Sequence, residues 1–120
     1  MNEFITINAP VQVPRHAIED TLCAALEGGS IYWCEGMKVQ TYINGAEWGH
    51  EQIARGGCVN LFYEDEWHTA IGSELRLREA LTIMAQKYPL HFGDMMGDTG
   101  DAETGDILFQ LYVFKEVVYG

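Results

Sequence analysis

Cys58-Val59-Asn60-Leu61-Phe62-Tyr63-Glu64-Asp65-Glu66-Trp67-His68-Thr69-Ala70-Ile71 carries the clearest sign of the fold class. A β-favouring run ends at Tyr63, the triplet Glu64-Asp65-Glu66 interrupts it, and Trp67–Ile71 resumes it. That is the pattern of a hairpin. Ser73 then offers a side-chain oxygen for a helix N-terminus. Leu77, Leu81, Met84 and Tyr88 recur at helical spacing, which predicts a helix up to Tyr88. Pro89 closes it, because the residue before a proline is pushed out of the helical region. The order of elements is mixed rather than strictly alternating βαβα. The expected class is therefore α+β, with three main helices packed on a small, mostly antiparallel sheet.

Outward from this centre, Met37–Ile43 reads as a strand with Val39, Thr41 and Ile43 on one side, and Asn44-Gly45 as a turn. Glu47–Arg55 reads as a short helix stopped by Gly56-Gly57. Upstream, Pro14 suits a first helical turn. Ile18, Leu22, Ala25 and Leu26 form an apolar stripe that carries this helix to Glu27, with Glu19 and Asp20 near its positive end. Gly28-Gly29 is expected to end it in the left-handed conformation. Phe4-Ile5-Thr6-Ile7 reads as a first strand, and Ser30–Cys34 as a dense apolar patch. Downstream, Pro89–Gly100 is expected as a loop or a single helical turn. Asp101 caps a last helix whose apolar face is Ile107, Leu108, Leu111 and Phe114. Val117–Tyr119 ends the chain as a short strand or packed tail. There is no repeat, linker or low-complexity tract.

The 120 residues make one compact acidic domain, 1–120, the default for this length. Its 48% apolar share supports a core without disulfide or metal staples. Three cysteines, Cys23, Cys34 and Cys58, are an odd number, which argues against a disulfide framework and for reduced thiols. Met1–Pro10 lacks the basic and apolar regions of a secretory signal, and no apolar run is long enough to span a membrane. Eighteen acids face seven bases, a formal net charge of −11. Such a surface repels nucleic-acid phosphates and anionic membranes, and steers the protein toward basic partners.

The candidate chemistry is thin. Asp94, Asp98, Asp101, Glu103 and Asp106 form an acidic run, but no register gives a calcium loop. With Asp101 first, Gly105 falls fifth and Asp106 sits where the invariant glycine belongs. Cys34, His50, Cys58 and His68 lack the close pairing of zinc ligands. Glu35 beside Cys34 disfavours a thiolate nucleophile, and no nucleophile elbow or phosphate-cradling loop is present. No metal, cofactor or catalytic residue is expected.

Two surfaces remain. The first is acidic: Glu64, Asp65 and Glu66, with Asp94, Asp98, Asp101, Glu103 and Asp106, could imitate nucleic-acid phosphates and occupy a basic groove. The second is aromatic: Tyr32, Trp33 and Trp48, with Arg55, could stack and hold a nucleotide. Trp67, Arg15 and Lys38 belong to the same aromatic and basic set. The apolar residues at Ile31–Cys34 and Val117–Tyr119 suit either a homodimer seam or core.

Ala25-Leu26-Glu27-Gly28-Gly29-Ser30 followed by Tyr32-Trp33 resembles the opening of a family of small proteins encoded by bacteriophages and prophages. Ile53-Ala54-Arg55-Gly56-Gly57 resembles its middle. His91-Phe92, Asp94, Asp101-Ala102-Glu103-Thr104, Gln110, Phe114 and Val118-Tyr119-Gly120 resemble its end. The chain departs at Gly105, where alanine is frequent, and at Lys115, where glycine is usual. Gly105 is expected to weaken the last helix by up to about 1 kcal/mol, and Lys115 to disturb the turn after it. The resemblance brings no active site. It implies a viral accessory protein working in the cytoplasm of a bacterium. On it rests the expectation of a stoichiometric inhibitor of a host defence system, such as a CRISPR effector, whose partner has a basic surface. A nucleotide-sequestering counter-defence module and a virion or morphogenesis component are the alternatives.

Overall fold

A computed structural model describes residues 3–120. Five α-helices and three short strands follow the arm that precedes Arg15: α1 (Arg15–Ala24), β1 (Gly36–Lys38), α2 (Gly49–Ala54), β2 (Asn60–Tyr63), β3 (Glu66–Trp67), α3 (Glu74–Lys87), α4 (Pro89–Met96) and α5 (Ala102–Phe114). The sheet is antiparallel throughout, in the order β1-β2-β3. The fold is α+β.

The hairpin forms where its sequence pattern places it. Glu64 and Asp65 both take positive φ, 53° and 61°, so Phe62 faces Trp67 and Tyr63 faces Glu66 across a two-residue turn. This left-handed pair matches the natural twist of the two strands. The return arm is shorter than expected: after Trp67 only a bridge between Val59 and Ile71 continues it. The first arm pairs on its other edge with β1, but that strand stops at Lys38 instead of reaching Ile43. Beyond Lys38 the chain is held by a side chain instead of a ladder. Buried Gln52 accepts from the Ile43 N–H at 3.0 Å and donates to the Thr41 carbonyl at 2.8 Å. Phe4–Ile7 is no strand either. It pairs with nothing among the described residues and its apolar side chains are exposed. Met1 and Asn2, at the start of the Met1–Pro10 stretch, lie outside the described residues.

Helix α5 is the centre of the molecule. Thr104 to Tyr112 are all buried, so this helix has no solvent face comparable to the single apolar stripe expected of it. It packs against α1, α3, α4 and the turn that follows α1. That turn is a widened, π-type one over Ala25–Gly29, closed by the Ser30 N–H on the Ala25 carbonyl at 2.8 Å. Neither Gly28 nor Gly29 is left-handed. Gly29 is required for another reason: a Cβ there would lie 2.1 Å from the Ala102 carbonyl oxygen, where α5 begins. Gly56 does take the left-handed conformation, at φ 86°, and ends α2.

Asp101 accepts from the Thr104 N–H at 3.0 Å and caps α5, while Ser73 accepts from the Arg76 N–H at 3.0 Å and caps α3. Pro89 closes α3 and also opens α4. It occupies the first position of that two-turn helix, where its missing N–H costs nothing. The segment expected as a loop or a single helical turn is therefore a helix to Met96. One core unites the helices and the sheet, Ile18, Leu22, Ile53, Met84, Leu108 and Phe109 meeting Val59 and Leu61 of the hairpin. Cys34 is buried, Cys23 half-buried and Cys58 exposed, all as free thiols. No helix is long and apolar enough to cross a membrane among the described residues.

Candidate functional site

The acidic residues separate into three groups. Glu64, Asp65 and Glu66 are exposed at the hairpin tip, Glu64 fixed there by the Tyr119 hydroxyl, which donates to it. Asp94, Asp98, Asp101 and Glu103 are exposed around the α4–α5 corner. There the carboxylate of Asp101 is held below its ordinary pKa, chiefly by the Thr104 backbone N–H and then by its hydroxyl.

Asp106 belongs to neither surface. It is buried, and its carboxylate accepts four bonds: from Ser30 Oγ and Trp33 Nε1, both at 2.8 Å, from Tyr32 Oη at 2.6 Å and from Gln110 Nε2 at 3.0 Å. Gln110 in turn accepts from the Val118 and Tyr119 N–H groups at 2.7 and 2.8 Å. Asp106 thus fastens the Ser30–Trp33 turn and the C-terminal tail to α5. Its place on a helix that is buried all round explains why it cannot join the surface acids.

The aromatic set is divided in the same way. Trp33 is 6% exposed and stacks on Tyr119, with ring centroids 5.3 Å apart and an interplanar angle of 7°. Its faces are covered and cannot take a nucleobase. Tyr32 has an exposed ring, but its hydroxyl is committed to Asp106. Burial first, and this bond second, raise its pKa to about 12. Arg55 is also spent: Nε meets Glu19 at 3.1 Å, Nη2 meets Glu51 at 3.3 Å, and Nη1 donates to the Asn44 carbonyl at 2.8 Å. Trp67 lies under the Lys38 ammonium, 4.1 Å from the ring centroid. Arg15 pairs with Glu74. Of the aromatic set, Trp48 stands freest, 63% exposed.

Trp48 borders an open groove of about 840 Å³ between the Ala25–Gly29 turn, β1 and the start of α2. Half-buried Leu26, Met37 and Val39 line it, with exposed Ile31 and Tyr42 beside Trp48. Gly49 lets α2 close down here, since a Cβ on it would meet the Met37 sulfur at 2.3 Å. Glu27, Glu35 and Glu51 supply the charge; among the described residues His50 is the one basic group at the groove, and no lysine or arginine lines it. Glu51 is engaged: its Oε1 accepts from the Glu47 and Trp48 N–H groups at 2.9 and 3.1 Å, and these bonds hold its pKa down. Met37 and Tyr42 carry no functional signal in the sequence, and Ile31 carries only that of a homodimer seam or core. It takes the fold to carry all three to Trp48.

Among the described residues, no three His, Cys, Asp or Glu side chains cluster as a metal site. Cys34 and Cys58 have different surroundings. Burial pushes the Cys34 thiol pKa up, and Glu35 adds to the rise. Cys58 instead faces the Gly72 carbonyl at 3.4 Å. No family model matches the chain, and no match was found among the curated proteins or the solved structures compared with it.

Proposed function

We propose that this is a host-interaction protein of the kind carried by bacterial viruses, acting in the host cytoplasm as a stoichiometric inhibitor of a defence protein. Its exposed carboxylates would cover a basic nucleic-acid-binding surface of that target, in the manner of an anti-CRISPR protein. One observation carries the reading. Of eighteen acidic side chains only Glu19, Glu51, Glu74 and Glu79 meet a lysine or arginine among the described residues, so most of the excess negative charge, buried Asp106 apart, is displayed outward. Seven of the displayed acids lie on two ordered supports, the tight hairpin turn and the α4–α5 corner. A preordered array loses little conformational freedom on binding and attracts a basic partner from a distance.

The nucleotide-sequestering alternative has weaker support. Trp33 is covered, Arg55 is paired internally, and the groove beside Trp48 is lined by carboxylates that repel a phosphate.

The test is capture of nucleic-acid-binding proteins from a bacterial lysate, followed by displacement of DNA or RNA from the purified target by stoichiometric amounts of this protein. Reversal of Glu64, Asp65 and Glu66 to lysine should weaken binding by about tenfold or more, mainly through slower association at low salt. Affinity that ignores both the reversal and the salt concentration would overturn the electrostatic mechanism.

A further inference from the structure

We infer that the groove beside Trp48 is a docking site for an apolar segment of a protein partner that carries an arginine or lysine, separate from the acidic hairpin tip and the α4–α5 corner. The inference rests on the reading that the partner is basic, and names where its anchoring side chains go. The volume, about 840 Å³, is right for a few side chains and too small for a folded surface. The lining is of two kinds. Ile31 and Tyr42, 57% and 47% exposed, stand with Trp48 as uncovered apolar surface of the kind that marks interaction sites.

Glu27 and Glu35 bring carboxylates that meet no cation among the described residues, and no lysine or arginine lines the groove to compete with an incoming one. An arginine satisfies both kinds at once: its guanidinium lies over an indole face and forms paired bonds to a carboxylate, while its stem and apolar neighbours cover Ile31 and Met37. The chain already makes such a contact within itself, where Lys38 sits over Trp67. A phosphate or a carboxylate ligand would face Glu27 and Glu35 unpaired.

The probe is a short peptide alternating leucine and arginine, compared with peptides carrying lysine, glutamine or glutamate in place of arginine. Binding is read by tryptophan fluorescence and calorimetry. The arginine and lysine peptides should bind one to one, and the glutamine peptide about tenfold or more weaker. Trp48→Ala should abolish the fluorescence change. The double variant Glu27→Gln, Glu35→Gln, at exposed positions that leave the fold intact, should weaken binding about tenfold. Neutralising Glu64, Asp65 and Glu66 should leave it unchanged.

Equal binding of the glutamine peptide would overturn the inference, as would losses that follow the hairpin tip and not the groove. Association of the protein with itself through Trp48, disrupted by Trp48→Ala, would equally overturn it. A groove that binds the basic peptide while no nucleic-acid-binding target is inhibited would defeat the proposed function and leave this inference standing. The reverse pattern would do the opposite.

Discussion

At position 105 helix propensity and packing point in opposite directions. Glycine in a helix interior is about 1 kcal/mol worse than alanine, and on that ground Gly105 reads as a weakness. In the fold, a Cβ at Gly105 would lie 2.6 Å from the Thr21 carbonyl oxygen and 2.7 Å from the Ala25 nitrogen, both backbone atoms of the crossing helix and its turn. They cannot swing away as a side chain would. Gly105→Ala should therefore destabilise the protein by a net of about 1–2 kcal/mol, overpacking outweighing the gain in propensity. Equilibrium denaturation checks this, and a stabilised variant would show that α1 can retreat at small cost. The same locality misleads at Asp106: it follows the exposed acids Asp101 and Glu103 in sequence, but its four hydrogen-bond partners are Gln110 and three residues more than seventy positions away.

At the scale of elements, α5 shows what ends a helix. Lys115 follows its last residue at φ 63° and ψ 8°, the left-handed conformation, with its N–H on the Leu111 carbonyl at 2.9 Å. A lysine there bears the Cβ strain that a glycine escapes. Its ammonium meets Glu79 at 3.3 Å on the surface, a contact that contributes little. Lys115→Gly should raise stability by about 0.5–1 kcal/mol, measured as a higher denaturation midpoint with unchanged slope. A fall would mean that the Glu79 pair matters more than the strain.

Elements with strong local patterns are legible in the sequence: α3 from Ser73 to Tyr88, α1 from its stripe, the hairpin from its acidic break. Those that failed depend on distant partners. Phe4–Ile7 alternates like a strand but meets no ladder. Met37–Ile43 is divided because Gln52, not another strand, satisfies Thr41 and Ile43. α4 follows a proline that both stops one helix and starts the next. Of the candidate site, the hairpin acids and Trp48 could be read from local sequence. The groove could not, since it joins residues from 25 to 51 across three elements.

For the whole molecule, four tyrosines make stability depend on alkaline pH. Tyr32 and Tyr119 are raised to about 12, the first by burial and the Asp106 bond, the second by the Glu64 bond and then by burial. Burial raises Tyr63 and Tyr112 as well. A phenol whose folded pKa exceeds its unfolded value of about 10 contributes stability that is complete below pH 10 and lost as pH rises through the folded value. Thermal melts should therefore hold steady up to about pH 10 and fall between about 10 and 12, with delayed phenolate absorbance. Tyr32→Phe with Tyr119→Phe should flatten that fall. Tyrosines that all ionise together near their ordinary value without loss of structure would contradict it.

The central place of α5 also bears on how the protein is made. It is translated after the helices it packs against, α1, α3 and α4, and its bonds to Ser30, Tyr32 and Trp33 span 76, 74 and 73 residues. While the ribosome is still elongating toward Ala102, the apolar faces of α1, α3 and the hairpin have no centre to close upon. The nascent chain should stay loose and open to chaperones until α5 clears the exit tunnel, then collapse in one late step.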